Sequence, residues 1–235
     1  MHTDRIEDYD PSLKTITTKQ CLVKHINHIE NHKFLFWFYS EETQAQIEKS
    51  ITALHASPYK VCGAFTGAGA GLQKMLWDVA GASNTIIALD FPYDTKHTVE
   101  KLYYHRDYSG SMVHPDVAFE LAKCNWPENE GLNKFIVGVG CTAAVSTSRE
   151  RKGKNHAYFS ILGNINCDEF YYNKSFYLTL EKGILSRQEE GALVDIVALN
   201  IILEATKIEK IDINLEDFGA KLEEINVEEA EEDRD

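Results

Sequence analysis

Val61-Cys62-Gly63-Ala64-Phe65-Thr66-Gly67-Ala68-Gly69-Ala70-Gly71-Leu72-Gln73-Lys74-Met75-Leu76 is the stretch on which the fold turns. Val61 to Phe65 is short and apolar, as a buried strand is, and Thr66 to Gly71 breaks that pattern with alternating glycines. Leu72, Met75, Leu76 and Val79 then recur at helical spacing until Gly81. The order is strand, glycine-rich turn, helix.

The same reading extends in both directions. Upstream, Glu41 to Ala56 places Ile47, Ile51 and Leu54 on one helical face. Lys33 to Ser40 is an aromatic, strand-like run. Residues 1–32 are polar and His-rich, with one helix around Gln20 to Glu30. Downstream, Thr85 to Leu89 is a buried-type strand stopped by Pro92. Thr95 to Tyr103 and Pro115 to Lys123 read as helices, the second with proline at its favoured first position. Phe135 to Val139 is a short strand, and Ala157 to Leu162 and Phe176 to Leu180 alternate as antiparallel neighbours do. Ser186-Arg187-Gln188-Glu189 is a capping box opening a long helix with Leu193, Ile196, Val197, Asn200 and Ile201 on one side. The economical architecture is α/β with a mixed sheet. Its expected parts are an N-terminal extension with a strand (1–40), the α/β domain (41–210) and an acidic segment (211–235).

Charge narrows the function classes. The chain of 235 residues carries a net −13, of which −8 lies between Glu216 and Asp235 and −5 in the rest. A basic face for nucleic acid is therefore disfavoured. Cys21, Cys62, Cys124, Cys141 and Cys167 are odd in number and never form a C-x-x-C pair, which fits reduced thiols better than disulfides or zinc. The N-terminus leads to no signal-peptide core, and no run approaches the roughly 18 apolar residues of a membrane span. The reading is a cytoplasmic protein with no membrane partner.

Three features could carry chemistry. In Thr66 to Gly71, backbone N–H groups can converge on an anion at a helix N-terminus; equally, the glycines can serve a tight turn. Thr66 stands at the strand end, where a hydroxyl nucleophile or phosphate-binding hydroxyl is presented. Gly138-Val139-Gly140-Cys141-Thr142-Ala143 matches G-x-G-x-x-A, but the polar segment after it cannot be the helix a dinucleotide fingerprint needs. That segment brings Arg149, Arg151, Lys152 and Lys154, a phosphate site or an exposed loop of solvated charge. His25, His28 and His32 share helical spacing and read as surface histidines; no metal or cofactor is assigned.

In order, Thr66-Gly67-Ala68-Gly69, Asp78 to Ser83, Phe91-Pro92-Tyr93, Gly138 to Ala144, Arg151-Lys152-Gly153 and Ser186 to Glu190 resemble the C-terminal domain of the CinA family of nicotinamide-nucleotide amidohydrolases. The similarity runs from about Tyr59 to Ala205 and looks like a divergent branch. It implies a single three-layer domain with a mixed, mainly parallel sheet flanked by helices, a nucleotide ligand and a homo-oligomer. Thr66 aligns with the family's serine nucleophile, Tyr93 with its tyrosine, and Lys96 is the nearest lysine to the family's lysine position, held here by Thr98. By that resemblance Thr66, Tyr93 and Lys96 are the catalytic candidates. Gly67, Gly69, Gly71, Gly140, Cys141, Thr142, Arg149, Arg151 and Lys152 are the substrate-binding ones. The implied activity is deamidation of nicotinamide mononucleotide or a related pyridine nucleotide. The alternative is an inactive nucleotide-binding or assembly protein on the same scaffold.

Overall fold

A computed structural model describes residues 39–103, 110–125, 135–149, 152–164 and 171–226. The helix expected near Gln20, the three N-terminal histidines, most of the Lys33 to Ser40 run, Arg151 and the last nine residues lie outside them; Tyr39 and Ser40 are not in a strand. The chain divides into two compact units, residues 1–40 and 41–235.

The second unit is built on β1 (Lys60–Thr66), which is buried along its whole length except at its two ends. A strand apolar on both faces can sit only at the centre of a covered sheet. It pairs in parallel with β2 (Ile86–Asp90) on one side and β3 (Ile136–Ala144) on the other. From β3 the sheet continues antiparallel through β4 (Asn155–Asn164), β5 (Tyr171–Leu180) and β6 (Ala220–Ile225), in the order β2-β1-β3-β4-β5-β6. The alternation of Ala157 to Leu162 with Phe176 to Leu180 thus pairs as its pattern predicts, with Phe159 opposite Phe176.

Helices cover both faces. On one lie α1 (Glu41–Ala56), α2 (Gly71–Asp78) and α5 (Arg187–Ala205); on the other lie α3 (Thr95–Tyr103) and α4 (Pro115–Lys123). Strand alternation shows the split. Gly140 faces α4, where an added Cβ would lie 2.0 Å from the Ala118 carbonyl oxygen. Its neighbour Cys141 faces α5 and feels the charge of Asp195. Ala64, next to Gly140 in register, packs with Leu102, Val117 and Leu121 beneath α3 and α4. His55 of α1 is a satisfied core histidine, with Nδ1 2.7 Å from the Thr85 hydroxyl and Nε2 2.9 Å from the Leu76 carbonyl oxygen.

Two differences from the sequence reading have physical causes. Phe135 to Val139 reads as a short strand before a small-residue turn, yet β3 runs to Ala144 with all nine residues buried. The small residues are there because α4 lies directly on the strand. The acidic C-terminal segment also supplies an edge strand, β6, after a turn at Gly219 (φ +61°). Lys221, Glu223 and Glu224 on that edge mask its alternation and protect it from pairing with other chains.

Candidate functional site

The chain leaving β1 runs to β2 on one side, and the chain leaving β3 runs to β4 on the other. The carboxyl ends of β1 and β3 therefore flank a topological switch point, the place where open α/β sheets bind ligands. Thr66 and Thr142 are partners in register there. Thr66, Gly67 and Ala68 are half-buried, the accessible end of an otherwise enclosed strand. Gly67 adopts φ +83°, and a Cβ on it would lie 1.9 Å from the Ala143 carbonyl oxygen, so no other residue lets β1 turn out against β3. Thr142 is fully buried and its hydroxyl donates to the Met112 carbonyl oxygen at 2.6 Å. It anchors the approach to α4 at the mouth of the site.

The α2 N-terminus is occupied by the protein itself. Asp195 of α5 accepts the Gly71 N–H at 3.0 Å and is also bonded by the Leu72 backbone. A side chain on Gly71 would meet the Asp195 carboxylate at 2.1 Å, so glycine makes room for this contact. Burial pushes the Asp195 carboxyl up to about 7, while the Leu72 and Gly71 hydrogen bonds pull it down. The seat that a helix dipole and converging N–H groups offer an anion is thus filled by an internal acid.

A second carboxylate of α5, Glu190, is fully buried. It accepts the Ser146 N–H at 2.5 Å, the Ser146 hydroxyl at 3.0 Å and the Asn155 amide at 2.7 Å. Arg187 donates to the Ser146 carbonyl oxygen at 2.7 Å. One helix therefore pins both the loop after β1 and the loop after β3. Sequence reading gave neither acid a role; for Asp195 the signal was an ionisable side chain amid the apolar run of α5, whereas Glu190 stands among the polar residues of its first turn.

The other nominated residues separate. Gly140 is enclosed by α4, with a Cβ position also 2.4 Å from the Ala122 backbone nitrogen. Cys141 is fully buried on the opposite face, its thiol pushed well above the ordinary range by burial and then by Asp195. Gly69 (φ +98°) packs on the Phe65 ring. Tyr93 is 73% exposed. The Lys96 side chain is 85% exposed and stands 3.9 Å from Glu100. Neither is hydrogen-bonded to the Thr66 hydroxyl, which makes no hydrogen bond among the described residues. Arg149 is exposed, and Lys152 lies in a groove at the far side of the same rim. Among the described residues no three His, Cys, Asp or Glu side chains converge as a metal site, and no helix is long and apolar enough to cross a membrane.

No family model matches the sequence, and no curated protein matches it. Solved structures do. The competence/damage inducible protein CihA of Agrobacterium tumefaciens aligns at 14% identity and a TM-score of 0.53, covering 71% of this chain and 97% of that one. A CinA superfamily protein of Enterobacter cloacae aligns at 11% identity and 0.48, over 72% of this chain and 94% of that one. Another, of Escherichia coli, aligns at 15% and 0.47, over 68% and 92%. On the first of these, the chain shares the α/β fold of the CihA protein.

Proposed function

We propose that this chain is a CinA-like protein that binds a nucleotide at the β1–β3 switch point without hydrolysing it. The observation that carries the reading is the half-exposed Thr66-Gly67-Ala68 end of a buried central strand, held against β3 where sheets of this kind receive ligands. Thr66 offers a hydroxyl to a ribose or phosphate oxygen. Because Asp195 fills the α2 N-terminus, ligand phosphate is directed away from Gly71, toward the loop after β3 that Glu190 holds.

Hydrolysis of a carboxamide asks more of the site. A hydroxyl nucleophile needs a base within about 3 Å. Lys96 spends its charge on Glu100 in solvent, and Tyr93 is exposed on the same connection. The fold is kept, and among the described residues no base is hydrogen-bonded to Thr66.

A thermal-shift screen tests the reading, with nicotinamide mononucleotide, its acid form, NAD and ADP-ribose as ligands. At a ligand concentration about 100 times Kd, binding adds about 2.7 kcal/mol. For a chain of this size that raises the midpoint by about 5–10 °C. Thr66→Val should remove the shift while keeping the ligand-free midpoint. A chain indifferent to all four ligands would refute nucleotide binding.

A further inference from the structure

We infer that the chain has a second ligand site, a groove for a small polyanion such as a polyphosphate, at the rim where β4 and β6 begin and β5 ends. It goes beyond the switch-point reading and does not depend on it. The groove has a volume of about 610 Å³, room for a phosphorylated ligand of nucleotide size. Four lysines line it, Lys152, Lys154, Lys182 and Lys221, against two acids, Glu181 and Glu216. These lysines are distant in sequence and are gathered by register. Lys152 and Lys154 lead into β4, whose Asn155 pairs with Leu180; Lys182 follows β5; and Lys221 pairs with Thr179. The Glu181 N–H donates to the Gly219 carbonyl oxygen at 2.8 Å and fixes the end of β5 to the start of β6.

The second observation is how these lysines are partnered. Elsewhere Lys49, Lys74, Lys96, Lys123, Lys174 and Lys210 each reach a carboxylate within ion-pair distance, while Lys60 turns to the Asn84 carbonyl oxygen and Lys207 reaches no carboxylate among the described residues. Lys221 likewise pairs with Glu223. Lys152 and Lys154 reach no carboxylate among the described residues, although Glu181 and Glu216 line the same groove. In a chain with 37 acids to 24 bases, four lysines gathered in one concavity, two of them without a carboxylate partner among the described residues, mark a place where an anion is favoured. The four lysines outnumber Glu181 and Glu216, so an anion with several negative charges gains more from the groove than one with fewer.

Titration calorimetry of the full chain with inorganic triphosphate at low ionic strength tests this, with inorganic monophosphate as the comparison. Triphosphate should bind about tenfold or more tighter than monophosphate, and its affinity should fall steeply with added salt because the groups are exposed. The Lys152→Glu/Lys154→Glu pair should weaken triphosphate binding by about 30-fold or more with an unchanged unfolding midpoint. Lys154→Gln, which removes one charge without adding another, should weaken it by about threefold. Failure of the wild-type chain to bind triphosphate, or equal binding by the double variant and wild type, overturns the site.

Discussion

Replacing Asp195 with Asn should flatten the dependence of stability on pH. The carboxylate is buried on the N-terminus of α2, and its pKa of about 7 compares with an ordinary value of 3.8, with burial the main cause. A shift of that size corresponds to ~4 kcal/mol between the protonated and ionised forms. The sign follows from proton binding. Between about pH 4 and pH 7 the folded chain holds a proton at Asp195 that the unfolded chain has released, so raising the pH favours unfolding. Stability from this group is complete below about pH 4 and is lost as pH rises through about 7. Asn resembles the protonated acid: it keeps a carbonyl oxygen for the Gly71 N–H and cannot ionise. Any cost of its amide facing the Leu72 N–H is a constant offset, whereas the titration is not. The nearby Cys141 thiol stays protonated throughout this window, since its pKa is raised. Urea unfolding followed by far-UV circular dichroism, in steps from pH 4 to pH 8, should show Asp195→Asn gaining on wild type by up to ~4 kcal/mol across the range. Parallel profiles for the two proteins would refute the placement of a buried, titrating acid at this helix end.

Two further substitutions probe the frame around the site. Glu190→Ala strands the Ser146 N–H and the Asn155 amide in a buried position and should cost about 3 kcal/mol in urea unfolding, while Glu190→Gln, which keeps one acceptor, should cost distinctly less. Gly140→Ala drives a methyl into the α4 backbone at Ala118 and Ala122 and should cost about 2 kcal/mol or more, a fall of about 4–8 °C in the unfolding midpoint.

How much of this was legible depended on what each segment had to bury. Val61 to Phe65, Glu41 to Ala56 and the β4–β5 pair are apolar in patterns that only one kind of element satisfies, and each folds accordingly. β6 was hidden because an edge strand needs charge on its open side, and Lys221, Glu223 and Glu224 look like tail. Gly140 and Cys141 read as a ligand loop because small residues after a strand can serve either a ligand or a helix. Here Ala118 and Ala122 lie against Gly140. The turn at Gly67 was legible, since a glycine at a strand end limits what the backbone can do. Asp195 was not, because its partner Gly71 is 124 residues away and periodicity registers apolar positions only. Likewise, the likeness of Tyr93 and Lys96 to a catalytic pair rested on order along the chain, and order does not fix where a side chain points.

A switch point that holds a nucleotide, with no base among the described residues bonded to Thr66, should bind nicotinamide mononucleotide without turning it over. Ammonia release from nicotinamide mononucleotide, measured with saturating protein over hours beside a direct binding titration, tests it most directly. Saturable binding is expected, with ammonia released no faster than in the protein-free control. Ammonia formed in proportion to protein, and abolished by Thr66→Ala in a chain that still folds, would contradict it.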